Sequence, residues 1–587
     1  MLFNPPRNSP RLFFLALLST LCLCFLFQWR RELSSPKTSW KLLPTPLSPE
    51  ISVKDPKPRF ESFLSRLLEQ KPSNSSLELP DGYVLVRIEE INEESERVDN
   101  LKLSQEDLDI STKAHSNVVE LLPEYSDLIT YAPKTNGLIT VGGGSYTPAL
   151  LVSIRMLRKT NCTLPIEVFI PTHEDYDPYS CSILASLNAK CVFLPSFQNA
   201  TIDRYQYKSL AFLFSTFESV LFLDADNFPL VDPTPWFSAP VFQEKGMITW
   251  PDFWANTASP LFYTLANQSI PAIQSQHASS EAGSILISRN LHSQTLLLAF
   301  YYNLFGPGFY YEMLAQKGIG GEGDKETWVA AANVLKKDYW QVRERNHALV
   351  SVEQVEKEEE DEEGNWRKTG EWVRVGEEDL DEVVAMVQFD FIADYEASFP
   401  APPASSSSLI TWKLDFKTKK DSNVPEMEIK DVEIPTLRNN PDAEIVFLHA
   451  NRIKLHPAEV LERLDDFHGR GRMWGAKEKT IQRFGRDLEA EIWEEVIEVA
   501  CGFGDTLLLD GGEGEGEEGK QVGKEKVCED LRRFWWGVLG NEEVEERVRS
   551  AGEEDRRNMV REKGGEGERE GEWKPRVGHE DGVKRAG

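Results

Sequence analysis

Residues 220–230 read VLFLDADNFPL: four apolar residues, then Asp224, Ala225 and Asp226, then Asn227, Phe228 and Pro229. The apolar run predicts a buried strand. Residues two apart in an extended chain project to the same side, so both carboxylates would stand together where that strand ends. In open α/β sheets this is the edge at which ligands bind. Side by side, two carboxylates repel unless a cation lies between them. Hard oxygen ligands suit Mn2+ or Mg2+, which can bridge a nucleotide diphosphate. On its own the triplet is a weak signal, because acidic turns follow many strands.

The flanking sequence supplies a setting. LITVGGG (138–144) and IEVFI (166–170) read as strands, as does CVFLP (191–195). TPALLVSIRMLRK (147–159), YSCSILASL (179–187) and YQYKSLAFLFSTF (205–217) have helical spacing. Strands and helices alternating at this interval predict crossover units and a mixed, mostly parallel sheet in an α/β fold. Downstream, GMITWPDFW (246–254) and SILISR (284–289) are strand-like, while 291–305 and 324–337 look helical. Residues 355–385 and FPAPPASSSS (399–408) read as loop insertions, before IVFLHANRIKLHP (445–457) returns to strand and turn.

Composition limits the function classes. The 587-residue chain carries a net charge of −31, which argues against a nucleic-acid partner. Acidic runs such as EKEEEDEEGNW (356–366) and GGEGEGEEGK (511–520) read as solvated segments. They contain no D-x-D-x-D-G loop of the kind that binds Ca2+. Leu12–Phe27 is an apolar run spanning about 24 Å as a helix. A membrane anchor and a cleaved signal peptide compete for it; bulky Gln28, Trp29, Arg30 and Arg31 favour the anchor. The expected order is a cytoplasmic tail (1–11), a transmembrane anchor (12–29) and a Pro/Ser/Lys-rich stem (30–80). A lumenal domain (81–500, core 136–460) and a low-complexity tail (501–587) follow. Sequons at Asn74, Asn161, Asn199 and Asn267 fit a lumenal body. Cys162, Cys181, Cys191, Cys501 and Cys528 lack zinc-ligand spacing, leaving room for one or two disulfides and an unpaired cysteine.

Three further segments bear on the acidic pair. FLHANRIKLHP offers His449, a second ligand type, and Lys454, a cation able to meet a leaving diphosphate. Either residue alone reads more simply as a buried histidine or a surface lysine; together with the upstream triplet they favour a site. GIGGEGDKETW (318–328) presents Glu322, Asp324, Lys325 and Glu326 at a helix start, where Asp324 could cap the helix, serve the site, or both. The aromatics of WPDFW could contact sugar or belong to the core.

GLITVGGGSYTPALLVSIRMLR, LPIEVFIP, YQYKSLAFLFSTFESVLFLDADNFP, WPDFW, EAGSILISR, YYNLFGPGFYYEML, GEGDKETW and FLHANRIKLHP occur in this order. The set resembles the fungal Golgi α-mannosyltransferases, most nearly the α-1,2 group that starts branches on the α-1,6 mannan backbone. The resemblance implies a glycosyltransferase A-type nucleotide-sugar-binding domain. It implies GDP-mannose as donor, an α-mannoside chain as acceptor and retention of configuration. It also implies a single-pass type II Golgi membrane protein, with other Golgi mannosyltransferases as partners in a complex. Asp224, Asp226 and His449 match the Mn2+ ligands, with Mg2+ as the alternative ion. Lys454 would neutralise the leaving diphosphate and Lys208 would reach the donor. Gly143 and Tyr146 would lie near the nucleotide and Asp324 near the transferred sugar. Trp250, Asp252 and Trp254 would contact sugar. No residue declares itself a covalent nucleophile, so front-face attack is expected. The rivals are a retaining transferase with another donor or an α-1,3 linkage, and a glycan-binding protein with a relic fold. The relic predicts lost metal ligands, yet all three are present.

Overall fold

The structure, a computed structural model, describes most residues between Pro56 and Leu539. The segments 78–94, 375–381, 399–414, 429–443, 462–471 and 509–520, and several shorter ones, lie outside the description. So do both termini, including the apolar run 12–27 and the sequons at Asn74 and Asn199. No helix among the described residues is long and apolar enough to cross a membrane.

The main sheet has seven strands: β1 (Ala132–Val141), β2 (Ile166–Ile170), β3 (Ala189–Phe193), β4 (Phe217–Leu223), β6 (Met247–Ala255), β7 (Ala278–Ser288) and β8 (Trp340–Gln341). A short β5 (Asn227–Pro229) leaves this sheet directly after the acidic pair. The order is β3-β2-β1-β4-β7-β6-β8. β1 pairs in parallel with β2 and β4, β2 with β3, and β6 with β8, whereas β7 runs antiparallel to β4 and β6. The expected mixed, mostly parallel sheet is therefore present.

Alternation along the strands feeds two cores, one on each face. Leu221, Leu223 and Leu286 point to one, and Val220, Phe222, Ile285 and Ile287 to the other. The helix Thr147–Lys159 covers the first face with Leu150, Leu151 and Ile154. The second is covered by Gln206–Phe214 and by Ser293–Leu304, whose long apolar run is buried almost all round.

A second, antiparallel sheet of order β5-β15-β12-β9 joins β5 to β9 (His347–Ser351), β12 (Glu382–Phe389) and β15 (Ile445–His449). Between them lie two hairpins, β10 (Gln354–Glu360) with β11 (Trp366–Arg374), and β13 (Asp415–Thr418) with β14 (Pro425–Glu428). Reading 355–385 as a plain loop therefore needs correction. The segment pairs as a hairpin and then begins β12, the strand lying between β9 and β15. Its high charge hid strands whose backbone pairing does not depend on apolar side chains.

Both expected ends also move. The helix Lys57–Leu68, placed in the stem by composition, buries Phe60 and Phe63 in the second core. Phe60 sits 4.9–5.1 Å, centroid to centroid, from Phe197, Phe214 and Phe300. At the other end, the helices Leu488–Gly502 and Lys524–Phe534 pack Ile492, Trp493, Leu531 and Phe534 into the first core. Arg155 Nε donates to Glu495 Oε2 at 2.5 Å, tying the first of them to Thr147–Lys159. A disulfide, Cys501–Cys528, joins the two C-terminal helices, and Cys181–Cys191 joins the helix Pro178–Ser186 to β3. Cys162 is the free, buried cysteine among the described residues.

Candidate active site

β4 ends at Leu223, so Asp224 and Asp226 stand just beyond it at the carboxyl edge of the sheet. The turn is fixed by backbone bonds: Asp224 N donates to Gly283 O at 3.0 Å, and Asn227 N to Asp224 O at 3.1 Å. Asn227 Nδ2 also donates to Gly283 O at 3.0 Å. From the other side, Ser153 Oγ donates to Ala225 O at 2.6 Å.

β15 brings the third member. Its register sets His449 opposite Asn227, and Ala450 N donates to Asp226 O at 2.9 Å. His449 Nε2 then lies 3.2 Å from Asp226 Oδ1. Asp224, Asp226 and His449 each offer one ligand atom, all within 4.8 Å of one another. Two carboxylates and an imidazole make a donor set that suits a divalent cation. The fit goes beyond the donors. Gly283 backs the group so closely that a Cβ there would sit 2.7 Å from His449 Cε1 and 3.2 Å from Asp224 Oδ2. Burial opposes charge on Asp226, but His449 and Lys454 outweigh it and hold the carboxyl below its usual range. Burial likewise opposes charge on His449, yet Asp226, Glu281 and Asp224 lift its pKa to about 9. The carboxylates around His449 thus favour positive charge at this position.

Two lysines border it. Lys454 Nζ lies 3.8 Å from Asp226 Oδ2 with its side chain 43% exposed, so the ammonium can reach an anion arriving from solvent. Lys208 is buried, donating to Ala282 O at 2.9 Å and lying 3.2 Å from both Asp224 Oδ1 and Asp324 Oδ2. Burial pulls its pKa down, but Asp224 and Asp324 more than offset this and hold it above the usual lysine range. Asp324 does not cap its helix through its side chain. Its carbonyl accepts from Thr327 N at 3.0 Å and Oγ1 at 2.7 Å, while its carboxylate faces Lys208 and Trp328 Nε1. Burial raises the Asp324 carboxyl above its usual range against the pull of Lys208.

The glycine turn after β1 lies beside this group. Gly143 has φ +117°, and a Cβ there would meet Asp175 Cβ and O at 2.9 Å, which explains glycine at this position. Tyr146 is half exposed, with the Lys454 ammonium 5.2 Å from its ring centroid.

The WPDFW segment divides differently from the expectation. Trp250 is fully buried, donates Nε1–H to Phe389 O at 2.8 Å and packs on Trp236, Phe391 and Phe447. It belongs to the core, and its expected sugar contact is corrected. Asp252 is buried too, with its carboxylate against the Lys325 ammonium, which also lies 3.0 Å from Glu322. Trp254 is half-buried near the end of β6. Glu281 and Gly283, next to the acidic pair, were missed as site residues. They lie within the quoted EAGSILISR, but only the β4–β7 pairing brings them to Asp224.

The site is thus a mixed sheet with paired aspartates at the end of its central strand, met by a histidine from a second sheet. The family described as "Mannosyltransferase putative" matches residues 135–370. Alpha-1,2-mannosyltransferase MNN21 of Candida albicans is 32% identical over 461 residues, 70% of this chain and 64% of the relative. Alpha-1,2-mannosyltransferase MNN2 of Saccharomyces cerevisiae is 31% identical over 405 residues, 61% of this chain and 63% of the relative. The chain thus spans somewhat less than two thirds of the length of these relatives. Among solved structures, the glycosyltransferase GlyE of Streptococcus pneumoniae aligns at 16% identity and TM-score 0.25, covering 35% of this chain and 45% of that one.

Proposed function

We propose that this protein is a retaining α-1,2-mannosyltransferase. It transfers mannose from GDP-mannose to an α-mannoside chain, as in branching of mannan or of N-glycan outer chains. The observation that carries this reading is the convergence of Asp224, Asp226 and His449 with Lys454 and Lys208 at the carboxyl edge of β4. Relatives named α-1,2-mannosyltransferases, about 30% identical, support the sugar and the linkage.

The imidazole among the ligands favours Mn2+ over Mg2+. Bound there, the ion would supply positive charge against the donor diphosphate. Lys454 is placed to meet the negative charge that grows on GDP as the C1–O bond breaks, an effect of fixed charge in a partly desolvated site. Lys208 spans the sheet edge and the Asp324 turn, holding that carboxylate where it can position the transferred mannose. The acceptor hydroxyl attacks from the face the diphosphate leaves, and a donor phosphate oxygen takes its proton. Gly143 leaves the backbone open beside the nucleotide, and Tyr146 borders it.

The setting we propose is the Golgi lumen, with residues 12–29 as a type II anchor and association with other Golgi mannosyltransferases. Two disulfides support an oxidising compartment. Sequons at the exposed Asn161 and Asn267 support it as well.

The test is full-length protein in detergent with GDP-mannose, Mn2+ and an unbranched α-1,6-mannoside, beside an EDTA control. Transfer that requires the metal, with product cleaved by an α-1,2-specific mannosidase, is expected. Product resistant to that enzyme but cleaved as an α-1,3 link would replace the linkage. Transfer from another nucleotide sugar alone would replace the donor.

A further inference from the structure

We infer that Glu281 is the positioning residue behind His449, holding the imidazole so that Nε2 faces the cation; this rests on the cation site proposed above. His449 turns Nε2 toward Asp226 and leaves Nδ1 buried with no hydrogen-bond partner among the described residues. A buried ring nitrogen without a partner is costly, and ligating histidines commonly give their second N–H to a carboxylate. The carboxylate facing Nδ1 is Glu281, with Oε1 at 4.0 Å. A shift of about 1 Å closes that gap to hydrogen-bond range.

Glu281 is itself held in place. It is nine-tenths buried on β7, and its Oε1 accepts from Gly283 N at 2.8 Å. The same Gly283 anchors Asp224 and Asn227 through its carbonyl. A Cβ at 283 would press on His449 Cε1 at 2.7 Å and on Glu281 Oε1 at 3.2 Å, so only glycine lets the ring and carboxylate lie this close. Behind Glu281, the Lys325 ammonium, bound to Asp252 and Glu322, offsets its charge. Strand pairing of Glu281 with Trp250 and charge interaction of Glu281 with Lys325 thus link the WPDFW strand and the GDKE turn to the proposed cation ligands. Through Lys325, this gives Asp252 a role other than touching sugar.

Binding of Mn2+ to the full-length protein, followed by the electron paramagnetic resonance of free Mn2+, tests this without any turnover. Glu281→Ala should weaken binding by about 10–100-fold. Glu281→Gln keeps an acceptor oxygen at the same reach and should recover most of the loss. Melting in EDTA checks that each variant folds; if Glu281→Ala does not, Glu281→Gln is compared with the shorter Glu281→Asp, which should bind more weakly. Wild-type affinity in Glu281→Ala or Glu281→Asp, or equal losses in Ala and Gln, would overturn the inference. Asp226→Ala is the control for the site itself. If it binds Mn2+ as the wild type does, the cation site has failed rather than the role of Glu281.

Discussion

VLFLDADNFPL holds the end of β4 and MITWPDFWA is β6 of the same sheet; each is an apolar stretch with acid in it, yet the acids end in opposite roles. In the first, the acids follow the last residue of β4, so Asp224 and Asp226 stand at the open edge. In the second, Asp252 lies inside β6, and its carboxylate is taken by Lys325. Trp250 fills the core beneath it. What decides whether an acid can do chemistry here is its position relative to the end of the strand, more than its apolar neighbours.

This contrast can be broken by substitution, and the largest effect should fall on the open edge. Asp226→Ala should lower transfer by at least about 100-fold while thermal unfolding in EDTA stays close to wild type. An equal loss of stability would erase the distinction. Trp250→Ala should do the reverse, costing about 3–5 kcal/mol in denaturant unfolding because a large buried ring is lost. A variant that folds normally but has lost acceptor affinity would return Trp250 to the sugar. Asp252→Ala removes one of the two carboxylates paired with the buried Lys325 ammonium, leaving Glu322, and should cost up to about 3 kcal/mol. Adding Lys325→Met should restore much of that, a coupling read from the double-mutant cycle.

The two ends of the folded body give an effect of similar size. Cys501→Ser with Cys528→Ser opens a link of sequence separation 27 and should cost about 3 kcal/mol, measured by thermal unfolding. No change would mean that the C-terminal helices dock by packing alone. Smallest of all, Tyr146→Leu removes a cation–π contact to Lys454 and should raise the donor KM about 2–5-fold, equivalent to about 0.5–1 kcal/mol.

Much of the sheet was legible because its strands are apolar runs bounded by turns. The expected helix 147–159 and strand 166–170 match the observed elements residue for residue. Asp224, Asp226 and His449 were legible as residue types following strands. The register that closes them into one group was not, since β15 reaches β5 across more than two hundred residues. Composition misled where charge dominates. The stem helix Lys57–Leu68 and the C-terminal Lys524–Phe534 carry their apolar residues as narrow stripes among lysines, arginines and glutamates. Read by average composition they look like tails; read by period they are amphipathic helices with a core to cover. Glu281 was hidden for another reason: it acts across a strand pairing that local sequence does not display.

The most direct test of the central claim is a crystal of the protein grown with Mn2+ and GDP, measured at the manganese absorption edge. The account predicts a single strong anomalous peak bounded by Asp224, Asp226 and His449, with the diphosphate between it and Lys454. A peak elsewhere, or GDP bound away from β4 with no manganese between these three side chains, would contradict it.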